Sequence, residues 1–158
     1  MKYWRLALIA IIAILVVSIF MFTQNQRNMA TRDSVNEILT YCKVAQDEAA
    51  SLYSEFSMSD DATVLYRETQ KSSQVLDAQA FLIENESKNL KRDDAALANE
   101  IADFIWTLEG WLNEIYISKV LPDVKTEVTG MATVVSLKAF AEETLPYKCD
   151  FLKIYSER

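Results

Sequence analysis

The chain has 158 residues, 23 acidic against 16 basic, and no histidine. The missing histidine removes the commonest catalytic base and the commonest transition-metal ligand together. The net charge of −7 argues against a nucleic-acid partner, whose phosphates would repel it. Two glycines (Gly110, Gly130) and two prolines (Pro122, Pro146) are too few for a turn-rich β-sandwich, so the composition points to an all-α fold with few connections.

The first element is an apolar run from Leu6 to Phe22, interrupted only by Ser18. A bilayer core of about 30 Å takes about 20 apolar residues in a helix. The run supplies 17, and Tyr3 and Trp4 extend it at the headgroup level. Lys2, Arg5 and the amino terminus precede it, whereas Arg27 and Arg32 on the far side are offset by Asp33 and Glu37. This bias predicts a cytoplasmic N-terminus and an exported remainder, in a single pass of the cell inner membrane. The alternative, a cleaved signal peptide, needs a shorter apolar core and a small-x-small cleavage site; Asn28-Met29-Ala30 is a poor one. Residues 1–27 are therefore read as cytoplasmic tip, signal anchor and polar neck, and residues 28–158 as an extracytoplasmic helical domain. Beyond residue 27 the chain carries all 23 acids and 13 of the bases, a formal charge near −10. That charge opposes general adhesion to anionic lipid.

From residue 35 the pattern is close to heptad. Val35, Cys42, Ala49 and Phe56 share one position, with Ile38, Ala45 and Leu52 three residues later, which predicts a helix over roughly Thr31 to Ser57. Without glycine or proline before residue 110, the anchor is expected to run directly into it. Ser59, Asp60 and Asp61 offer an N-cap and first-turn acids for a second helix, roughly Asp60 to Lys88. Its stripe of Leu65, Thr69, Ser72, Leu76, Ala80, Ile83 and Leu90 is partly polar. Asp93 and Asp94 open a third helix with the strongest stripe: Leu97, Ile101, Phe104, Ile105, Leu108, Trp111, Leu112 and Ile115. It must stop before Pro122. Val128, Met131, Val135, Leu145, Cys149 and Leu152 define one face of a fourth helix, read as two pieces (Met131 to Leu145, Tyr147 to Tyr155) broken near Pro146. Four helices on short connections make an up-down-up-down bundle behind the single transmembrane helix.

Two cysteines, Cys42 and Cys149, fall on inward faces of helices that this topology makes neighbours. An exported location permits a disulfide between them. Their heights match only if the fourth helix starts near Gly130, so that Asp123 to Thr129 is not its straight extension; a start at Asp123 would separate them by about 15 Å at the helical rise. Two buried free thiols are the alternative.

The third helix carries a second stripe. Trp106 lies off the core face, beside Ala95, Asn99, Ala102, Gly110, Asn113 and Ile117, none of them charged. A neutral stripe centred on tryptophan has the composition of an interface core, with Ala102 and Gly110 small enough to let a partner approach. Ala102, Trp106, Gly110, Asn113 and Ile117 are thus the candidate partner-binding residues. The competing reading buries this helix on two sides or packs Trp106 on its neighbours. The topology also gathers Arg27, Arg32, Lys88, Lys91, Arg92, Lys153 and Arg158 at the membrane end, which suits either lipid headgroups or ordinary helix-end chemistry.

No Gly-rich phosphate loop, G-x-S-x-G or Glu-x-x-His occurs, and the side chains of the adjacent acid pairs (Asp60-Asp61, Asp93-Asp94, Glu142-Glu143) diverge around a helix. No catalytic residue, metal ligand or cofactor is therefore assigned. Asn85-Glu86-Ser87 matches a glycosylation sequon, a triplet common by chance. A membrane helix feeding an extracytoplasmic bundle resembles the sensory half of chemoreceptors, although no second membrane helix or cytoplasmic signalling module is visible. It is also similar to the inner-membrane spanins of phage lysis, with a more aromatic and compact core. Both resemblances are architectural and carry over no residue. The function expected is an anchored module that binds another envelope protein, or a second copy of itself, as regulator, inhibitor or assembly subunit. The alternative is a small-ligand sensory bundle with a pocket near Phe104, Trp111 and Thr69 to Ser73, signalling through a partner.

Overall fold

The computed structural model describes residues 2–121 and 134–156, with side chains from residue 12 onward. All the regular structure in them is helical: α1 (Lys2–Met58), α2 (Ala62–Ser87), α3 (Arg92–Val120), α4 (Val134–Ala139), a π turn (Phe140–Thr144) and α5 (Leu145–Ser156).

The order of packing follows from the contacts. α1 lies against α2 on one side and against α4 and α5 on the other, and α3 completes the ring between α2 and α5. Every neighbouring pair is antiparallel, because partner numbers rise on one helix as they fall on the other. Ser34 meets Glu86 and Glu48 meets Ser72 between α1 and α2. Ser73 meets Glu109 and Ser87 meets Asn99 between α2 and α3. Tyr53 faces Lys138 and Cys42 faces Cys149 between α1 and the C-terminal segment. The described helices thus form an up-down-up-down bundle.

The heptad positions of α1 are the core as expected. Val35, Ile38, Cys42, Ala45, Ala49, Leu52 and Phe56 are all buried. Before Ser34 the same helix stands outside the bundle. With no glycine or proline to break it, α1 continues from that neck into the core. Its 57 residues span about 86 Å at the helical rise. The apolar side chains from Ile12 to Phe22 are exposed all round it. Among the described residues no helix is long and apolar enough to cross a membrane. The apolar run of the sequence opens at Leu6, and the side chains of residues 6–11 lie outside the described ones.

Asp61 caps α2: its carboxylate accepts from the backbone N–H of Thr63 at 2.8 Å and of Val64 at 3.2 Å. The α2 stripe is buried from Leu65 to Ile83 as expected, but Ser87 closes it in place of Leu90, which lies beyond the helix end and is half-buried. In α3 the buried row is rotated relative to the expected one. It runs through Ala98, Ile101, Ala102, Ile105, Leu108, Leu112 and Ile115, while Leu97, Phe104 and Trp111 flank it half-buried. Ala98 and Ala102 are core residues, and α3 is bonded to α2 through Asn99, Trp106 and Glu109, so its small residues turn inward in place of the bulkier Leu97 and Phe104.

The last helix is not broken at Pro146. The chain stays helical from Val134 to Ser156 and absorbs the proline by widening one turn ahead of it. The Leu145 N–H reaches back five residues to the Phe140 carbonyl, and the Thr144 hydroxyl bonds the Ala139 carbonyl at 3.3 Å. A proline removes an N–H and presses its ring on the carbonyl four residues back, and a wide turn relieves both. The extra residue shifts the helical phase upstream. Leu137, Phe140 and Ala141 therefore point inward and Val135 is exposed, against the face extrapolated from Leu145. Val128, Met131, Gly130 and the segment Asp123 to Thr129 lie outside the described residues.

Candidate functional site

Cys42 on α1 and Cys149 on α5 are brought to disulfide distance, with Cα atoms 6.5 Å apart across 107 residues of sequence. Both are buried, so a bridge here ties the C-terminal segment to the first helix through the core.

The stripe around Trp106 is divided by the structure. Ala102 is 1% exposed and belongs to the core. Trp106 is half-buried, and its indole Nε1 donates to Asp77 Oδ1 on α2 at 2.9 Å. Its amphipathic ring is thereby fastened across the α2–α3 seam. Ile117 is half-buried. Only Gly110 and Asn113 stand open, and a Cβ added at Gly110 would meet nothing within 4 Å. The five residues do not converge into an apolar patch. Ala102 falls in the core although bulk alone would place the core along the large side chains, because helices pack most closely over small ones.

The polar stretch of α2 is equally engaged. Thr69 donates to the Leu65 carbonyl at 2.7 Å, Ser72 to Glu48 Oε1 at 2.8 Å, and Ser73 to Glu109 Oε1. Ser87 donates to Asn99 Oδ1 at 2.7 Å. Thr69 bonds within its own helix, and the three serine hydroxyls fasten α2 to α1 and α3, the usual fate of buried polar groups. Phe104 is stacked on Phe140 with centroids 4.8 Å apart, and the Lys148 ammonium sits 5.3 Å from its ring centre. Phe104 and the α2 hydroxyls are thus engaged with other groups of the bundle.

A different surface is open. On α5, Tyr147, Phe151 and Tyr155 form a ladder at i, i+4 and i+8, with centroid separations of 6.5 and 6.1 Å. Tyr147 is 71% exposed, Phe151 44% and the adjoining Ile154 57%. This follows from the helix: Leu145, Cys149 and Leu152 take the inward face, so residues four apart on the other side line up outward. Leu97 and Ile101 of α3 border the ladder. Together with Glu100, Tyr147, Lys148 and Phe151 they line a hollow of about 210 Å³ between α3 and α5. The aromatic spacing was present in the sequence as Tyr147-x₃-Phe151-x₃-Tyr155, but it attracts no notice until the inward face of α5 is fixed.

At the other side of the base, where α1 enters the bundle, two grooves adjoin. One of about 590 Å³ is bordered by Arg32, Lys91 and Lys153, the other of about 610 Å³ by Arg27 and Lys91. No Asp or Glu lines either groove. Among the described residues no three Cys, Asp or Glu side chains come together to hold a metal ion.

Fold and surface define a helical bundle built on one very long helix, with an aromatic face on its last helix and a basic base. Comparison with family models, with curated proteins and with solved structures finds no match to this chain.

Proposed function

We propose that the chain is a membrane-anchored, extracytoplasmic interaction module that docks an apolar helix of another envelope protein against α5. The aromatic face of Tyr147, Phe151 and Ile154 beside the α3–α5 hollow is the observation that carries this reading. Large rigid aromatics flanking a shallow apolar groove are the surface that receives an amphipathic helix through anchors spaced a turn apart.

The anchor is the apolar run Leu6 to Phe22, which continues without a helix-breaking residue into the part of α1 that packs in the bundle. A helix that is apolar all round belongs in lipid or in a protein core, and Ile12 to Phe22 stand outside the core. Residues 1–27 then place the N-terminus on the cytoplasmic side and the bundle outside. Cysteines held at disulfide distance favour the oxidising side of the membrane. Docking accounts for the exposed α5 aromatics, and no catalytic chemistry is needed to explain any feature of the bundle.

The test is site-specific photocrosslinking in intact membranes, with a photoreactive phenylalanine at position 151 and, in a second strain, at position 113. A discrete crosslinked partner from position 151 and none from position 113 is the expected result. Crosslinks from position 113 alone would return the partner surface to the Trp106 stripe. A chain recovered in the soluble fraction with a new amino terminus near residue 30 would remove the anchor.

A further inference from the structure

The base of the bundle segregates charge against the composition of the chain. Acids outnumber bases 23 to 16, yet two adjoining grooves there are lined by Arg27, Arg32, Lys91 and Lys153 and by no carboxylate. The four cations come from three separate places: α1, the turn before α3, and the last turns of α5. Among the described residues none of the four takes part in an ion pair, a state they share with Lys88, Arg92 and Lys148, whereas Lys43, Arg67, Lys71, Lys119 and Lys138 each meet a carboxylate; what sets the four apart is that they line the same two grooves. Neutral hydrogen-bonding side chains, Asn28, Asn36 and Ser156, fill the spaces between them. Glu86 meets the wall of the Arg27 groove through Ser34 and Asn89 without pairing with a cation, so cations that share a groove still gain from an added anion.

The height of the grooves says which anion. Arg27 lies five residues beyond Phe22, the last apolar residue of the run, and Arg32 ten, so about 7 and 15 Å along the helix. Side chains on a helix lean toward its N-terminus, which for Arg27 and Arg32 is toward the bilayer. The polar layer on each side of the hydrocarbon is about 5 to 8 Å thick, so Arg27 falls at its level and Arg32 leans toward it from above. Resting on the anchor reading, we infer that the Arg32–Lys91–Lys153 groove, continued by Arg27, binds the phosphate of an anionic phospholipid in the leaflet that α1 leaves. Guanidinium and ammonium groups bind phosphate oxygens by charge-assisted hydrogen bonds. The groove clamps the base of the bundle to the membrane while the rest of its surface, acidic overall, is repelled by the same lipids. The contact fixes which side of the bundle faces the bilayer.

The test uses the full chain in nanodiscs of phosphatidylcholine alone or with one quarter phosphatidylglycerol, read by amide hydrogen exchange. Anionic discs are expected to slow exchange over residues 28–36 and 88–94 by severalfold, at roughly fivefold per basic residue engaged at the surface. The variant carrying Arg32→Gln, Lys91→Gln and Lys153→Gln, and separately Lys153→Gln alone, should lose all or part of that difference. Far-ultraviolet circular dichroism of both variants confirms that the bundle is intact. Equal exchange in the two compositions, or a difference that survives the triple substitution, overturns the assignment. Inorganic phosphate at 10 mM reproducing the protection in phosphatidylcholine discs also overturns the headgroup as occupant, in favour of a soluble anion. Failure to incorporate into discs of any composition refutes the anchor and with it this site; incorporation without a lipid difference refutes the site alone.

Discussion

Replacing Cys42 and Cys149 together by alanine tests the bundle's topology and its compartment at once. A bridge between them closes a loop of 107 residues, and the loop-entropy relation gives about 4.8 kcal/mol for that length at 25 °C. Both sulfurs are in the core, so the double alanine variant also removes a little buried volume. Unfolding entropies near 2 cal/mol/K per residue convert 4.8 kcal/mol into a fall in Tm on the order of 15–20 °C for a domain of this size. Real bridges deliver less than the relation when the unfolded chain keeps structure, so this is an upper value. The loss should also be local. The C-terminal segment is held by Leu137, Phe140, Ala141, Leu145 and Leu152 and by the cysteine pair. Without the bridge its amides should exchange earlier than those of α2 and α3. The assay is thermal unfolding of the chain purified from its membrane, oxidised and after reduction, beside the double variant. Reduced and double-variant proteins should coincide well below the oxidised one. A Tm lowered by less than about 3 °C on reduction, or uniform loss of protection across all helices, would refute the reasoning.

Other substitutions probe particular contacts. Ile105→Ala empties a fully buried site in the middle of α3 and should cost about 2–5 kcal/mol in denaturant unfolding. Trp106→Ala severs the bond to Asp77 but leaves a half-buried position; it should lower stability by about 1–3 kcal/mol and leave partner crosslinking from position 151 unchanged. Lys119 holds the Asp60 carboxyl below its ordinary value, first by its hydrogen bond and then by its charge. A depressed folded-state pKa contributes stability above the unfolded value, and that contribution is lost as pH falls below about 3.8 through the folded one. Lys119→Met should return the Asp60 titration, followed by NMR, to the ordinary carboxylate range, and remove that part of the acid sensitivity. Phe151→Ser, at a position already 44% exposed, should change stability by less than about 0.5 kcal/mol while abolishing partner capture.

How far the sequence could be read depended on how each helix buries itself. α1 packs through a regular heptad seam, and its seven core positions can be picked out by spacing alone. A cap within Ser59 to Asp61 and the end of α3 ahead of Pro122 were legible because each is decided within one turn of the chain, although the cap falls on Asp61 and leaves no acid in the first turn of α2. The register of α3 was not, because it is set by packing against the neighbouring helices, which buries Ala98 and Ala102 and leaves Leu97 and Phe104 half-buried. The same packing sets Trp106 against Asp77 of α2. In the last helix one proline widens a turn, and the phase of every residue before it changes. A periodicity argument that takes α5 as its origin therefore assigns Val135 to the wrong side.

The same distinction explains why the open surfaces were harder to find than the core. A buried row is written in one residue type at one spacing, so a single helix reveals it. An exposed face acquires meaning only from what lies beside it. Tyr147 and Phe151 gain theirs from Leu97 and Ile101 across the α3–α5 hollow. Lys153 gains its own from Arg32 and Lys91, which stand 121 and 62 positions away in the chain. The antiparallel topology, held by short connections between α1, α2 and α3 and by the cysteine pair, is what brings these residues together. The two surfaces occupy opposite flanks of α5: aromatics toward α3, and Lys153 toward α1. If the basic flank is clamped to lipid, the aromatic flank is held clear of the bilayer and turned toward whatever stands beside the bundle. Docking and anchoring are then not independent: loosening the basic groove should weaken partner capture at Phe151 even though the two sites share no residue.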